Sequence, residues 1–461
     1  MVCLFAGALA LLQFWIGVET SIYLDDEGMR MFFAERPANR VGGRIWLPFL
    51  QTQIATVHLI GAPYWAYRVI PCFYFMLATA SLGLLWLRWA GRSATAAWTA
   101  GAVMALFAHQ TLVHQLASMM MQEIVGTALF YLFILGLTLE EKPKPGWVLI
   151  PAALAMVTRD SYRVMLFVAV MLHLRPALLT ALGRRWTLCM VATPLVWQFA
   201  LLPLGFYIAE GRPPTFPLEW PLGILPGAAP VDLGDSAESL RWGLTESRAI
   251  GPFIGVVLAG LLLFFQGRLR AAGSAHSWQD RLLPTVVASL ALSYLLIWYV
   301  HPWQAQQPAT PRMAWPLIEA TFLTAAVLAR YAAGAQASVR WGATALILGG
   351  MLIGIERDVT KWTAPDQRAA TEEHERLRAW MEDNGNPSIC IQSKNPLSTY
   401  NLWSAAVVNS DAWNEWPKPE VLSSDCGAWL IERGTGSRPP DGWTVEAEYE
   451  IEGAEYSLWT P

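Results

Sequence analysis

IYLDDEGMRMFFAERPANRVGGRIWLPFL, Ile22 to Leu50, is the first polar stretch in a chain that opens apolar. It sets Asp25, Asp26 and Glu27 side by side, then follows them with Arg30, Arg36, Arg40 and Arg44. The run before it, Val2 to Val18, carries no charged residue and is just long enough to cross a bilayer core. No Lys or Arg precedes that run, so it lacks the basic n-region of a secretory signal and reads as a membrane span. The span then delivers the acidic loop to the outer face. The end of the loop, LPFLQTQIATVHLIG, repeats apolar residues at steps of three and four: Leu47, Leu50, Ile54 and Val57. That period fits a helix lying on the membrane surface between Trp46 and Trp65, or a plain amphipathic connector.

Composition extends this reading to the whole chain. The 461 residues are 54% hydrophobic and 15% charged, with mean hydropathy +0.34. Soluble domains carry roughly 25% charged residues. Apolar runs recur with basic residues between alternate pairs, which places those loops on the cytoplasmic side. Spans are predicted at Tyr67 to Leu87, ending at Arg88 and Arg92, at Ala94 to Ala108, and at Ile124 to Leu139, ending in EEKPKP. Two short runs, Trp147 to Val157 and Val164 to Leu174, are split by Thr158 to Arg163. Basic residues flank the pair on both sides, so the two runs are separate crossings joined by an outer turn. Further spans fall at Trp186 to Ile208, Phe253 to Phe265 and Leu282 to Val300, then before Arg330 and after Arg340. A Pro- and Gly-rich outer loop runs from Glu210 to Pro252. The expected fold is mainly α: a polytopic transmembrane helical bundle of about eleven spans, with a small C-terminal extracytoplasmic α/β domain. The division is 1–356 for the membrane domain, with 19–65 as its outer acidic loop and interfacial helix, and 357–461 for the tail.

The tail carries its own signals. From Glu356 onward there are 19 acids and 9 bases, against 17 acids and 23 bases in the rest. Basic inner loops and an acidic tail put the tail outside. Strands are expected at Ile389 to Gln392, Ala428 to Ile431, Trp443 to Tyr449 and Tyr456 to Trp459, after a polar helix from Asp366 to Asn384. Leu377 and Trp380 share one side of that helix. Cys390 and Cys426 both fall in the tail and could pair as a disulfide or remain thiols. Cys3, Cys72 and Cys189 sit in apolar runs and read as packing residues.

Arginines on the outer face stand against the positive-inside bias. The topology puts Arg30, Arg36, Arg40, Arg44, Arg159, Arg163 and Arg312 there. A guanidinium grips two phosphate oxygens at once, while Arg30, four residues after Asp26, also suits a local ion pair. Glu123 opens the fourth span and reads either as a capping acid or as a site carboxylate. His109 and His114 lie near it, as solvated tips or as metal ligands.

Taken in order, these features resemble the GT-C superfamily of polytopic glycosyltransferases, in its bacterial branch related to protein O-mannosyltransferases and lipid A aminoarabinose transferases. The matching residues are Asp26-Glu27 after the first span, Leu47-Pro48-Phe49-Leu50 before the interfacial helix, and Arg68-Val69 at the start of span two. They continue with Glu123 at the outer start of span four, Thr158-Arg159, and Arg312-Met313-Ala314-Trp315-Pro316. Gly28-Met29, Leu47 and the missing Tyr after Arg312 depart from the pattern. The resemblance implies an inverting transferase that uses a polyprenyl-phosphate-linked sugar donor. Its acceptor would be a protein, lipid or glycan. Asp26 would be the general base, with Asp25 and Glu27 beside it. Arg159 and Arg312 would clamp the donor phosphate, with Arg163 and Arg44 behind them. Glu123 would position the acceptor or share a divalent cation with the acidic loop; no other cofactor is expected. The implied location is the bacterial inner membrane, among membrane lipid and with no nucleic-acid partner. A transporter and a noncatalytic scaffold are the competing classes. Against transport, the charges cluster at one face rather than at mid-span.

Overall fold

A computed structural model gives the structure. It describes residues 1–18, 53, 56, 60, 65–91, 93–111, 113, 122–139, 144–156, 179, 183–196, 200, 241, 244–245, 248–269, 315–355, 373, 376–377, 379–385, 387, 389–392, 426–451 and 454–461. The described helices are α1 (Val2–Val18), α2 (Trp65–Ala90), α3 (Ala94–Ala108), α4 (Gln122–Leu139), α5 (Pro145–Met156), α6 (Arg184–Val196), α7 (Ile250–Phe265), α8 (Trp315–Ala333) and α9 (Ala337–Ile353). Four strands follow: β1 (Ile389–Gln392), β2 (Ala428–Glu432), β3 (Thr444–Ile451) and β4 (Ala454–Thr460). The protein is mostly helical with one small sheet. Among the described residues, Arg68–Ala90 is the one helix long and apolar enough to cross a membrane unaided. Several shorter apolar helices surround it, including Ala94–Ala108, Glu123–Thr138, Ile250–Phe265 and Ala337–Ile353.

The described helices follow apolar runs, and glycine or a capping residue marks some of their ends. α2 ends at Gly91, whose φ of 97° is left-handed backbone that suits glycine. Ser93 then caps α3 by accepting a hydrogen bond from Ala96 N at 3.1 Å. The two helices form a hairpin pinned by Trp86 Nε1, which donates to Thr99 Oγ1 at 2.9 Å. α1 lies along this hairpin. Gly83 of α2 faces Met104 of α3 and Val2 of α1, and the lack of a side chain there lets three helices approach. At the other end of α1, Gln13 Nε2 donates to Ala108 O at 3.3 Å.

The helix directions follow from such contacts. α1 runs against α2, and α2 against α3. Gly136 of α4 lies against the Trp147 carbonyl of α5, as in an antiparallel pair. α7 packs antiparallel on α9, with Gly251 facing Gly350 and Gly342 facing Leu262. Gln110, just past α3, bridges Ile355, just past α9, and Thr111 N donates to Gly354 O at 3.2 Å. α3 and α9 therefore end together. α8 joins α9 through residues 334–336 and runs opposite to it, and so parallel to α2.

The surface of the bundle reverses the usual pattern. Leu4, Leu11, Trp98, Trp147, Phe265 and Ile353 are exposed. Arg68, Thr79, Ser81, Glu123, Thr127, Glu319, Thr321 and Thr324 are buried. Cys72 is buried, as a packing residue should be, but Cys3 and Cys189 are exposed. That corrects the reading of these two as packing residues.

In the tail, strand order is β1-β2-β4-β3, with β1 and β2 parallel and the other neighbours antiparallel. Side-chain alternation gives the sheet two apolar faces. One packs Ile389, Ala428, Leu430, Tyr456 and Leu458 with Leu377, Met381 and Tyr449. The other packs Cys390, Cys426, Trp429 and Ile431 against Trp443 and Trp459. Cys390 and Cys426 are joined as a disulfide, Cα to Cα 5.9 Å, which decides between the two states open from sequence.

Candidate functional site

The helix directions bring the N-terminal ends of α2, α4 and α8 to one end of the bundle, together with the C-terminal ends of α1, α3 and α9. Arg68 lies in the first turn of α2, Glu123 in the first turn of α4, and Trp315 begins α8. Arg68 is 1% exposed, and Glu123 and Glu319 are 0% exposed. Burying charge is costly unless it is hydrogen-bonded or paired, so three such side chains at one end mark a built polar layer. Asp25, Asp26, Glu27, Arg44, Arg159, Arg163, Arg312 and His114 lie outside the described residues. Of the residues singled out in the sequence, the described structure places Glu123, His109 and Arg68.

Thr127 organises this layer. It follows Glu123 by one helical turn, so both side chains share a face of α4. Its hydroxyl accepts a hydrogen bond from Trp315 Nε1 at 2.7 Å and donates one to Glu319 Oε2 at 2.6 Å. Tyr131, a turn further along, donates its hydroxyl to the Glu319 carbonyl at 2.9 Å. As the partner on α4 advances from 127 to 131, its partners on α8 do not fall back, so the two helices are parallel. Below the polar layer the contact is aromatic. Phe107 of α3 stands 6.1 Å from the Tyr131 ring and 5.1 Å from the Phe322 ring. The site thus rests on a packed aromatic floor.

Other polar contacts tie the surrounding chain to this end. Gln53, in the stretch expected to lie on the membrane surface, donates from Nε2 to Tyr74 OH of α2 at 2.6 Å. Residues 53 and 56 are helical, Ile60 N donates to Thr56 O at 3.2 Å, and the rest of that stretch lies outside the described residues. Arg248, just before α7, donates from Nη1 to Ile355 O at 2.6 Å. Its φ of 50° is left-handed, unusual for a residue with a Cβ. His109 caps the C-terminus of α3 with its backbone N–H bonded to Ala105 O. Among the described residues no group of three or more His, Cys, Asp or Glu side chains could hold a metal ion.

The opposite end carries different charge. Arg88 in the last turn of α2, Lys144 before α5, Arg268 after α7, Arg330 in the last turn of α8 and Arg340 in the first turn of α9 all gather there. Mixed charge at one end, with the acids Glu123 and Glu319 beside Arg68, and basic residues at the other make the two ends of the bundle different.

Two of the residues in the layer went unread in the sequence. Thr127 gives no local signal. Glu319 does give one, since an acid inside the run WPLIEATFL is a functional-site hypothesis by default. Chemically, the layer offers two carboxylates, a guanidinium and a hydroxyl held by an indole N–H, all screened from bulk water.

No protein-family model and no curated protein sequence matches the chain. Among solved structures it is similar to ArnT from Cupriavidus metallidurans, crystallised bound to undecaprenyl phosphate. That likeness covers 99% of this chain and 97% of that one, at 11% identity and a TM-score of 0.44.

Proposed function

We propose that the protein is a membrane-embedded glycosyltransferase that moves a sugar from a polyprenyl-phosphate donor to an acceptor on the extracytoplasmic face. The observation that carries this reading is the shared end of the bundle. The buried acids Glu123 and Glu319 and the buried Arg68 lie where α1 hands the chain on to Asp25, Asp26 and Glu27, and where α8 begins three residues after Arg312.

Membrane insertion is supported by the outward Leu, Trp, Ile and Phe side chains, a surface that water would not favour. Orientation is supported by the basic residues at the far end, which the positive-inside rule assigns to the cytoplasm. The Cys390–Cys426 disulfide agrees with a tail in an oxidising compartment outside the cytoplasm. The location that follows is the bacterial inner membrane.

In this reading an acceptor hydroxyl or amine attacks the anomeric carbon on the face opposite the phosphate. The bond from carbon to phosphate oxygen breaks as the new glycosidic bond forms, inverting the centre. Asp26, supported by Asp25 and Glu27, takes the acceptor's proton. Arg159 and Arg312, with Arg163 and Arg44 behind them, hold the charge that develops on the departing phosphate. Glu123 orients the acceptor or shares a divalent cation with the acidic loop. The test is transfer from a polyprenyl-phosphate sugar by the purified protein in lipid nanodiscs. Asp26→Asn should abolish turnover and leave expression and thermal unfolding unchanged; undiminished turnover removes Asp26 from its role. Transport of the intact donor without transfer would replace the enzyme reading with a transporter.

A further inference from the structure

The hydrogen-bond chain across α4 and α8 has a geometry that general packing does not need. Thr127 uses its hydroxyl both ways, as acceptor from Trp315 and as donor to Glu319. A hydroxyl has a single proton to give, so this pair of bonds fixes its rotamer and the face of α4 that carries it. Glu123 lies on that same face one turn earlier and is fully buried. Rotating α4 by even part of a turn would break both bonds and swing the Glu123 carboxylate away. Tyr131 adds a third tether, to the Glu319 main chain at 2.9 Å. The tethers come from the first two turns of α8, so they act at the polar end and leave the apolar remainder of both helices to ordinary packing.

We infer that Thr127, Trp315 and Glu319 form the positioning element that sets the direction of the Glu123 carboxylate, an inference that rests on reading Glu123 as the group that orients the acceptor. The three residues act through Glu123 and do not touch the reacting atoms. Trp315 supplies a rigid, single-donor anchor. Glu319 supplies the acceptor that turns the Thr127 proton inward. Thr127 passes both constraints to α4.

The test has two arms, both on the full-length protein in nanodiscs. In the first, Cys3, Cys72 and Cys189 are replaced by Ala, Glu123→Cys is introduced, and its modification by a small methanethiosulfonate reagent is timed. Thr127→Val should raise the modification rate about tenfold, the scale set by one lost hydrogen bond, and Thr127→Ser should restore it. Trp315→Phe, which removes the N–H and keeps an aromatic ring, should give the same rise. Unchanged rates in both variants, or a serine variant that behaves like valine, overturn the inference. In the second arm Glu123 is retained and transfer is measured. Thr127→Val should lower kcat and raise the acceptor KM with the donor KM unchanged, and it should cost nothing further when combined with Glu123→Gln. Additive losses overturn the inference. A wild-type protein that transfers no sugar counts against the transferase, and the first arm then decides the positioning role alone.

Discussion

Gly255 of α7 and Gly350 of α9 meet backbone to backbone: a Cβ added at Gly255 would stand 2.8 Å from the Gly350 Cα, and one added at Gly350 would stand 2.7 Å from the Gly255 Cα. Gly251 and Gly255 on α7 are spaced by four residues, and Gly350 of α9 meets both, while Gly354 just past α9 meets Pro252 and the Arg248 carbonyl. Small residues at that spacing let helices in lipid pack closely where no hydrophobic force drives them together. Gly350→Ala should destabilise the protein by about 1–3 kcal/mol, the usual cost of overpacking. Gly349→Ala, with open space around its added Cβ, is the control and should be near neutral. Thermal unfolding in detergent checks both; equal effects would mean that the close approach is not what holds the pair.

The tail disulfide closes a loop across a sequence separation of 36. Chain entropy alone assigns such a link roughly 4 kcal/mol. The double variant Cys390→Ser with Cys426→Ser should therefore leave a tail that is cut quickly by protease at temperatures where the parent resists. Thiols released by a membrane-impermeant reductant on intact cells should react with an impermeant maleimide. Labelling that requires cell lysis would place the tail in the cytoplasm.

Tyr449 predicts an alkaline limit for the tail. Burial holds its phenol above the ordinary value of 10.0, partly offset by the Arg376 guanidinium 4.4 Å from its ring centre. A raised pKa in the folded state means that the fold favours the neutral phenol. The stabilisation is then complete below the unfolded value and fades as pH climbs through the folded one. Tail unfolding, followed by proteolysis of the intact protein, should ease above about pH 10. Tyr449→Phe should flatten that part of the profile, and an unaltered alkaline limb would assign it to other groups.

Arg312 is expected to act on the donor. Arg312→Ala should raise the donor KM and lower kcat/KM by about 2–3 kcal/mol in transition-state terms, the scale of a lost charge-assisted bond. Arg312→Lys should recover part of the loss, since a point charge replaces a two-pronged grip. The measurement is steady-state transfer over a range of donor concentrations. An equal loss with a sugar donor that lacks phosphate would remove Arg312 from the clamp.

Local composition was enough to find the described helices and strands. Ala94 to Ala108 was predicted and stands as α3 within the same bounds, and all four strands fall within two residues of their expected ends. Apolar runs, Gly and Pro stops and alternating faces are properties of neighbouring residues, and a single chain displays them. The gathering of basic residues at one bundle end was also legible, because basic residues recur between alternate apolar runs.

What the sequence could not disclose is any relation between residues far apart in the chain. Thr127 and Glu319 are separated by 192 positions, and neither one announces the other. The same holds for the glycines of α7 and α9 and for the choice between thiols and a disulfide in the tail. Such pairings depend on which helix faces meet, and that is settled by packing of the whole bundle. The sequence determined the described helices and strands, since those follow from hydrophobicity and local pattern. The tertiary structure alone decided that a threonine, an indole and a buried acid would be joined, because the bonds between them form only once α4 and α8 lie parallel and in register.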